Sequence, residues 1–272
     1  METSVNTTRD REFHKKRRKV WDNAFKKSLA DYAPRIDEFT EQLLVRIARN
    51  VGRQIVLNDI CIHYSYDVMS PLAFGDSMGF IKGDSDDIAK SVLDNIQKGV
   101  DAIGLLLHVP WLMGLLTTFS WAIGPMRQWN EYSGELVVLR KKMKNPKPDL
   151  FGHLLENTED TAAGRSLLNS ECRLIVGAGS DTTATALTFL FVHLALYPEW
   201  LHERNFVRAN EFLNAAMMEL RSVVVRVAHK FDIAFPRDTV FDPVEYFSRV
   251  KDHFVAGAPR QEIVFSRRSS NT

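Results

Sequence analysis

Apolar residues recur along most of the chain at the three- and four-residue spacing of helices that bury one face. This spacing predicts helices over residues 13–27, 34–50, 57–74, 85–99, 132–143, 150–157 and 213–230. Residues 170–197 are apolar on nearly all faces and end before Pro198, which predicts a long helix through the core. After residue 230, stretches such as FDIAF and EIVFS alternate apolar and polar residues and predict short strands. The pattern predicts a mainly α fold with a minor β-sheet near the C-terminus.

Composition and charge argue against several classes of protein. The 272 residues carry a formal net charge of +1, which gives no field that would attract nucleic acid. The two cysteines, Cys61 and Cys172, are too few for a disulfide framework or a cysteine-rich metal site, as is usual in a reducing compartment. The histidines show no metal-ligand spacing. We therefore expect no nucleic-acid partner and no metal site built from side chains.

One segment approaches the length of a membrane span. Residues 102–124 are mostly apolar, but His108 and Pro110 interrupt them, and two tryptophans suit an interface better than a bilayer centre. Two buried helices, a membrane-surface element and a true span all stay open for this segment. The N-terminal stretch METSVNTTRDRE is polar and lacks the apolar core of a signal peptide or anchor, so a cytoplasmic location is one expectation.

The stretch LIVGAGSDTT (174–183) breaks the long apolar run with two glycines, an aspartate and two threonines. Glycine inside a helix costs about 1 kcal/mol relative to alanine, so these residues call for an explanation. One hypothesis is a dinucleotide-binding turn, with residues 174–176 as a strand, the glycines at the phosphates and Glu199 at the ribose.

A second hypothesis is that the helix continues through this stretch but is locally distorted. Small residues would let a flat ligand approach the backbone, and the Thr182 hydroxyl would bond a carbonyl one turn back. This predicts a distortion over residues 178–182, with Asp181 beside the gap. A third hypothesis is a close helix crossing at the small residues, with Asp181 at the surface.

Several motifs in sequence order resemble the cytochrome P450 haem-thiolate monooxygenases. AGSDTT (178–183), before an apolar helix ending in LALYPEW, resembles the family's central-helix signature. HKKRR (14–18) resembles its haem-propionate helix, and SYDVMSPLAFGDS (65–77) resembles a helix common in fungal microsomal members. The stretches AMMELRSVVVRVAHKFDIAF and KDHFVAGAPRQEIVF resemble the helix and strands that follow the family's cysteine loop. The chain is therefore identified as a member of this family.

The resemblance implies a single partial P450-like domain over residues 1–272. Residues 1–200 would run from the propionate helix through the oxygen-activating helix, and residues 211–272 would hold the helix and strands after the cysteine loop. The implied cofactor is haem. By resemblance, its propionates are bound by His14 and Arg18, which lie one helical turn apart. Ala178 and Gly179 would make room beside it.

The same resemblance implies the chemistry and the partners. Asp181 and Thr182 would be the catalytic residues, relaying protons during oxygen activation. The implied reaction is oxidation, typically hydroxylation, of an apolar small molecule, with electrons from an NADPH-cytochrome P450 reductase and a role in fungal secondary metabolism. The implied location is the endoplasmic reticulum membrane surface, with residues 102–124 as a candidate membrane contact.

The chain departs from the family pattern after its long apolar helix. The cysteine that ligates the haem iron should fall at position 210, where the chain has Asn210, and no Glu-x-x-Arg motif occurs anywhere in the sequence. Only a short segment separates Pro198 from Asn210, where the family has several helices and a sheet. We therefore expect a shortened, internally deleted chain, or a gene sequence that skips coding sequence, with weak haem retention and no activity as written. The alternative is a non-catalytic helical remnant or binding protein.

Overall fold

The structure is a computed structural model that describes residues 4–94, 96, 124–144, 149–199, 215–252 and 256–268. It is mainly helical with a small antiparallel sheet, which confirms the predicted fold class. Nearly all of the apolar segment 102–124, for which a membrane contact is one of the open alternatives, lies outside the described residues, as does Asn210 at the expected position of the haem ligand.

The helices are α1 (Arg11–Arg49), α2 (Leu57–Phe74), α3 (Gly124–Lys142), α4 (Leu150–Glu156), α5 (Ala162–Leu196), α6 (Ala215–Lys230) and α7 (Pro243–Ser248). Residues 87–94 are helical as well. The strands are β1 (Gln54–Val56), β2 (Phe231–Ala234), β3 (Lys251–Asp252), β4 (Ala256–Gly257) and β5 (Glu262–Arg267). The bounds of α2 are those that the apolar spacing predicts.

The long helix α5 begins eight residues before the predicted start because a polar side chain caps it. Thr161 Oγ1 accepts the backbone N–H of Gly164 at 3.0 Å, so the helix begins at Ala162 rather than at residue 170. A hydroxyl in this position satisfies one of the N–H groups that have no partner in the first turn. The end of the polar run NTEDTAAG is therefore the start of the helix and not a loop.

The helix α5 runs without interruption through the glycine-rich stretch. Residues 174–176 are helical, so the hypothesis of a dinucleotide-binding strand and turn is wrong. Residues 178–182 are α-helical throughout, so the predicted distortion is not a π-bulge or a 3₁₀ turn, and the predicted bond of the Thr182 hydroxyl to a carbonyl one turn back stays a prediction. The space that Gly179 leaves beside the backbone is filled by the Met69 side chain of α2.

The chain divides into two compact units, each assembled from separate stretches of sequence. The first unit comprises Met1–Asp31, Met69–Gly79 and Asp84–Gly179. Its core packs apolar side chains of α4, the end of α2 and the first part of α5. The most deeply buried of these are Ala73, Leu150, Phe151, Leu154, Cys172 and Val176.

The second unit comprises Tyr32–Val68, Phe80–Gly83 and Ser180–Thr272. Its core combines the apolar faces of the helices with one face of the sheet. The deeply buried side chains there include Leu43, Ile47, Leu57, Tyr64, Leu187, Val192, Val223, Val227, Ile263 and Phe265.

The main sheet of the second unit has three antiparallel strands in the order β1-β5-β2. Val264 of the central strand pairs with Gln54 on one side and with Ala234 on the other. The sequence predicts β2 and β5 but not β1, because three residues are too few to show an alternating pattern. A backbone bond from Gly52 N–H to Phe265 O at 2.9 Å extends this pairing.

Among the described residues, α5 is the one helix that is long and apolar enough to cross a membrane. That property rests on length and composition alone. Half of its most apolar window is buried inside the protein, as in the core helix of a folded domain.

Candidate functional site

The AGSDTT stretch of α5 presents polar residues to α2 within the second unit. Ser180 is fully buried, and its hydroxyl donates to the backbone oxygen of Ser65 at 3.2 Å. Thr183 is buried as well. A hydroxyl that bonds a carbonyl of a neighbouring helix fixes the axial position of one helix against the other. These contacts hold the next residue, Asp181, beside α2.

Asp181 is half-buried and faces Tyr66 of α2. The Tyr66 hydroxyl donates to Asp181 Oδ1 at 3.4 Å, and the tyrosine side chain is 1% exposed. The two residues lie 115 positions apart in the chain. The structure thus brings the predicted catalytic carboxyl together with a phenol that the sequence analysis did not single out.

Burial raises the pKa of Asp181 from its ordinary value of 3.8 to about 6, and the hydrogen bond from Tyr66 opposes this rise. Burial also raises the pKa of Tyr66 well above its ordinary value, so the phenol stays protonated. Because the folded pKa of Asp181 lies above the unfolded one, its contribution to stability is greatest below pH 4 and is lost as the pH rises through 6. A carboxyl of this kind can exchange a proton near neutral pH.

Thr182, the other predicted catalytic residue, lies on the exposed side of α5. It follows Asp181 in the chain, so the two side chains point in directions about 100° apart around the helix axis. The carboxyl is therefore held against α2, while Thr182 lies on the exposed side of the helix.

Gly179 and Ala178, predicted to make room for haem and oxygen, are half-buried on α5. A Cβ at Gly179 would collide with the terminal methyl of Met69, and the Met69 sulfur would lie 3.3 Å away. A Cβ at Gly177 would meet nothing within 4 Å. The space beside Gly179 is therefore occupied by the thioether of Met69, whereas the space beside Gly177 is open.

Alanine substitutions at these two glycines should have opposite effects on the free energy of unfolding. Gly177→Ala should raise the free energy of unfolding by about 0.5–1 kcal/mol, because alanine is favoured inside helices and its Cβ meets no atom. Gly179→Ala should lower it by about 1 kcal/mol, because the buried Met69 must move. Urea unfolding of both variants measures the difference. If Gly179→Ala were equally stabilising, Met69 would not fill the space beside this glycine.

His14 and Arg18, predicted to bind the haem propionates, both lie on the exposed side of α1. The Arg18 guanidinium donates to Asp22 at 3.0 Å in a pair whose side chains are 64% and 50% exposed. Exposed pairs of this kind contribute little to stability. The structure places both predicted residues one turn apart on one helix, and Arg18 already has an anionic partner.

Arg17, unlike Arg18, points into the protein, where its guanidinium bonds groups of other segments of the chain. Its guanidinium donates to the carboxylate of Glu171 and also bonds Asn157 O at 2.9 Å and Thr158 Oγ1 at 3.0 Å. Both ends of the ion pair are almost completely buried. A glutamate inside an apolar helix requires a buried cation, and this is the signal in the sequence that could have revealed the pair.

A cleft of about 290 Å³ lies in the first unit beside α1. Lys16 and Lys19 of α1 line it together with His153 and Asn157, over an apolar floor that includes Ala24. Neither His14 nor Arg18 lines this cleft. The cationic side chains of α1 that line this cleft are therefore not the two that the HKKRR motif indicates as propionate contacts.

The two cysteines of the chain are both buried. Burial raises the pKa of the Cys61 thiol to about 12, although a hydrogen bond with Thr188 opposes the rise. The pKa of Cys172 is raised even further by burial, and its thiol contacts the backbone oxygen of Ala73 at 3.8 Å. Both groups are therefore protonated thiols at neutral pH, and neither is suited to bind a metal as a thiolate.

A sequence profile of the cytochrome P450 family matches residues 2–203, so the chain belongs to this family. The match includes the long helix α5 and the predicted site residues, which are His14, Arg18, Ala178, Gly179, Asp181 and Thr182. Members of this family generally use a haem cofactor and a redox-partner reductase, and fungal members are generally associated with membranes.

Several fungal monooxygenases are similar to the chain. Cytochrome P450 monooxygenase FCK2 of Fusarium pseudograminearum is 32% identical over 201 residues, which is 72% of this chain and 36% of that protein. The monooxygenase notG' of Aspergillus versicolor is 34% identical over 202 residues, with the same two coverages of 72% and 36%. Tryprostatin B 6-hydroxylase of Neosartorya fischeri is 29% identical over 203 residues. The chain spans little more than a third of the length of these curated relatives.

The described residues do not fit a thiolate-ligated haem. Such a haem needs an ionised cysteine, and both cysteines here are buried thiols with raised pKa values. The predicted gap at Gly179 is filled by Met69, and Arg18 is paired with Asp22 on the surface. The part of the AGSDTT motif that the structure does build is the half-buried carboxyl of Asp181 with its phenol donor.

Proposed function

We propose that this chain supplies the proton-handling part of a fungal cytochrome P450 monooxygenase, with Asp181 as the residue that exchanges the proton. The observation that carries this proposal is a carboxyl whose pKa is raised to about 6, on the helix that contains AGSDTT. General acid catalysis is most efficient when the pKa of the acid lies near the working pH. Thr182 would pass the proton on from the solvent-exposed side of the helix.

The proposed reaction is oxidation of an apolar small molecule, typically by hydroxylation, in secondary metabolism. The relatives support this class of reaction, since one of them is named for hydroxylating tryprostatin B and others are named as monooxygenases. An NADPH-cytochrome P450 reductase would supply the electrons at the endoplasmic reticulum surface. His14 and Arg18 would serve as the propionate contacts only if the Arg18–Asp22 pair opened.

We also propose that residues 1–272 form one partial P450 domain that is inactive by itself. The family match ends at residue 203, shortly before position 210, where the family's cysteine is expected and the chain has asparagine. Both thiols that the chain does contain are buried. This combination favours a missing segment near residue 203 and a protein that does not retain a thiolate-ligated haem.

A carbon monoxide difference spectrum of the purified, dithionite-reduced protein tests this proposal. We expect no red-shifted Soret band, because no ionised cysteine is present to ligate the iron. The tryprostatin hydroxylase of Neosartorya fischeri, produced with haem in the same way, serves as the positive control. A red-shifted band from this chain would show that it is a complete haem-thiolate protein and would refute the proposed inactivity.

A further inference from the structure

Tyr66 forms a specific contact with the functional carboxyl of α5. Its hydroxyl donates to Asp181 Oδ1 at 3.4 Å, and its ring is almost completely buried. A protonated phenol can donate one hydrogen bond, and a carboxylate accepts without donating. The contact therefore favours the ionised form of Asp181, because a carboxylate is a stronger acceptor for the phenol proton than the carbonyl oxygen of a neutral acid.

The position of Tyr66 is fixed by the residues around Phe80. The Phe80 ring stands edge-on to the Tyr66 ring, with 6.3 Å between centroids and 88° between planes. The backbone of Phe80 is held at both ends, because its N–H donates to Asp67 Oδ1 at 3.1 Å and its oxygen accepts from Arg46 at 3.0 Å. His63 also stacks on Phe80 at 5.4 Å. The phenol thus has little freedom to turn away from Asp181.

The carboxyl is held on its own side as well. Ser180, which precedes Asp181, donates to the backbone oxygen of Ser65, which precedes Tyr66, at 3.2 Å. Two consecutive residues of α5 are therefore bonded to two consecutive residues of α2. This arrangement fixes the distance between the phenol and the carboxyl independently of the hydrogen bond that joins them.

We propose that Tyr66 is a positioning residue for Asp181, and that its hydroxyl orients the carboxyl and stabilises its ionised form. The inference deepens the proposed proton-handling function and rests on it for its catalytic meaning. The hydrogen bond from Tyr66 lowers the pKa of Asp181 against the rise that burial causes. Removing the hydroxyl should leave burial as the dominant influence and favour the neutral carboxylic acid.

The test is a titration of Asp181 in the full chain, followed by NMR of aspartate labelled with carbon-13 at the side-chain carboxyl. Asp181→Asn assigns the resonance by its disappearance. In Tyr66→Phe, the midpoint should rise by at least about half a pH unit above that of the unmodified protein. A merely structural role for Tyr66 would lower stability without moving this midpoint upward.

Tyr246→Phe is the matched control. Tyr246 is also 1% exposed, and its hydroxyl also donates at 3.4 Å, but to the backbone oxygen of Pro259. It should lose a similar amount of stability and leave the Asp181 midpoint unchanged. An unchanged or lowered midpoint in Tyr66→Phe, or an equal rise in both variants, would overturn the proposal.

A second substitution keeps the proposal testable if Tyr66→Phe does not fold. 3-Fluorotyrosine at position 66 keeps the shape of the ring and makes the phenol a stronger donor, so the midpoint should fall. A midpoint that does not fall would count against the proposal. These titrations need no haem, so their failure is distinct from the failure of the proposed monooxygenase function, which the carbon monoxide spectrum reports.

Discussion

Glu171→Gln should lower the free energy of unfolding by about 3–5 kcal/mol. The substitution leaves the guanidinium of Arg17 buried at 5% exposure without its counter-ion, although bonds to Asn157 and Thr158 remain. The cost arises because a guanidinium that is shielded from solvent loses its counter-ion, so it should far exceed that of an ordinary hydrogen bond. Chemical unfolding followed by circular dichroism measures it.

The control for this prediction is the exposed ion pair of Arg18, the residue that follows Arg17 on α1. Asp22→Asn breaks the Arg18–Asp22 pair, whose side chains are 64% and 50% exposed, and should change the free energy of unfolding by at most about 0.5 kcal/mol. If both substitutions had the same small effect, Arg17 would not be buried against Glu171. If both were severe, the assignment of Arg18 to the exposed face of α1 would be wrong.

Gly75→Ala should lower the free energy of unfolding by about 3 kcal/mol, from two causes that add. Gly75 ends α2 with φ +83°, a conformation that alanine adopts only with strain. A Cβ would also lie 2.5 Å from Arg140 Cδ and 2.9 Å from Met143 Sδ. Arg140 cannot move freely, because it donates to Asp149 in a buried ion pair at 2.6 Å.

Gly52→Ala separates the two causes. Gly52 has φ +77°, and a Cβ there would meet nothing within 4 Å, so this variant should show the strain alone, about 1 kcal/mol. Thermal unfolding of both variants gives the comparison. Equal losses would mean that Arg140 and Asp149 separate or shift without cost when Gly75 gains a methyl group.

The helices were largely predictable because their apolar spacing is regular over many residues. The bounds of α2 follow from the pattern alone, whereas the start of α5 depends on one hydroxyl, Thr161, within a polar run. A cap contributes about 1 kcal/mol but leaves no periodic signal. The strand β1 was not predicted, since three residues pair only because β5 lies beside them.

The sequence predicted only the part of the site that lies within a local motif. The stretch AGSDTT indicates Asp181 as a functional residue, and that role remains a prediction. Tyr66 could not be inferred, because nothing local ties it to a carboxyl 115 positions away. The helical periodicity could have shown that Arg17 faces the core and Arg18 does not. Arg17 lies four residues before Trp21 and seven before Ala24, both of which are buried.

The order of strands in the main sheet determines when the second unit can fold. Its central strand is β5, close to the C-terminus, and the adjacent Gln261 N–H donates to Asn58, 203 positions earlier. Closing a loop of that length is entropically costly before any contact compensates it, and folds rich in such contacts form slowly. During synthesis, β1 and β2 therefore emerge without the strand that joins them. The sheet can be completed only after β5 has also left the ribosome.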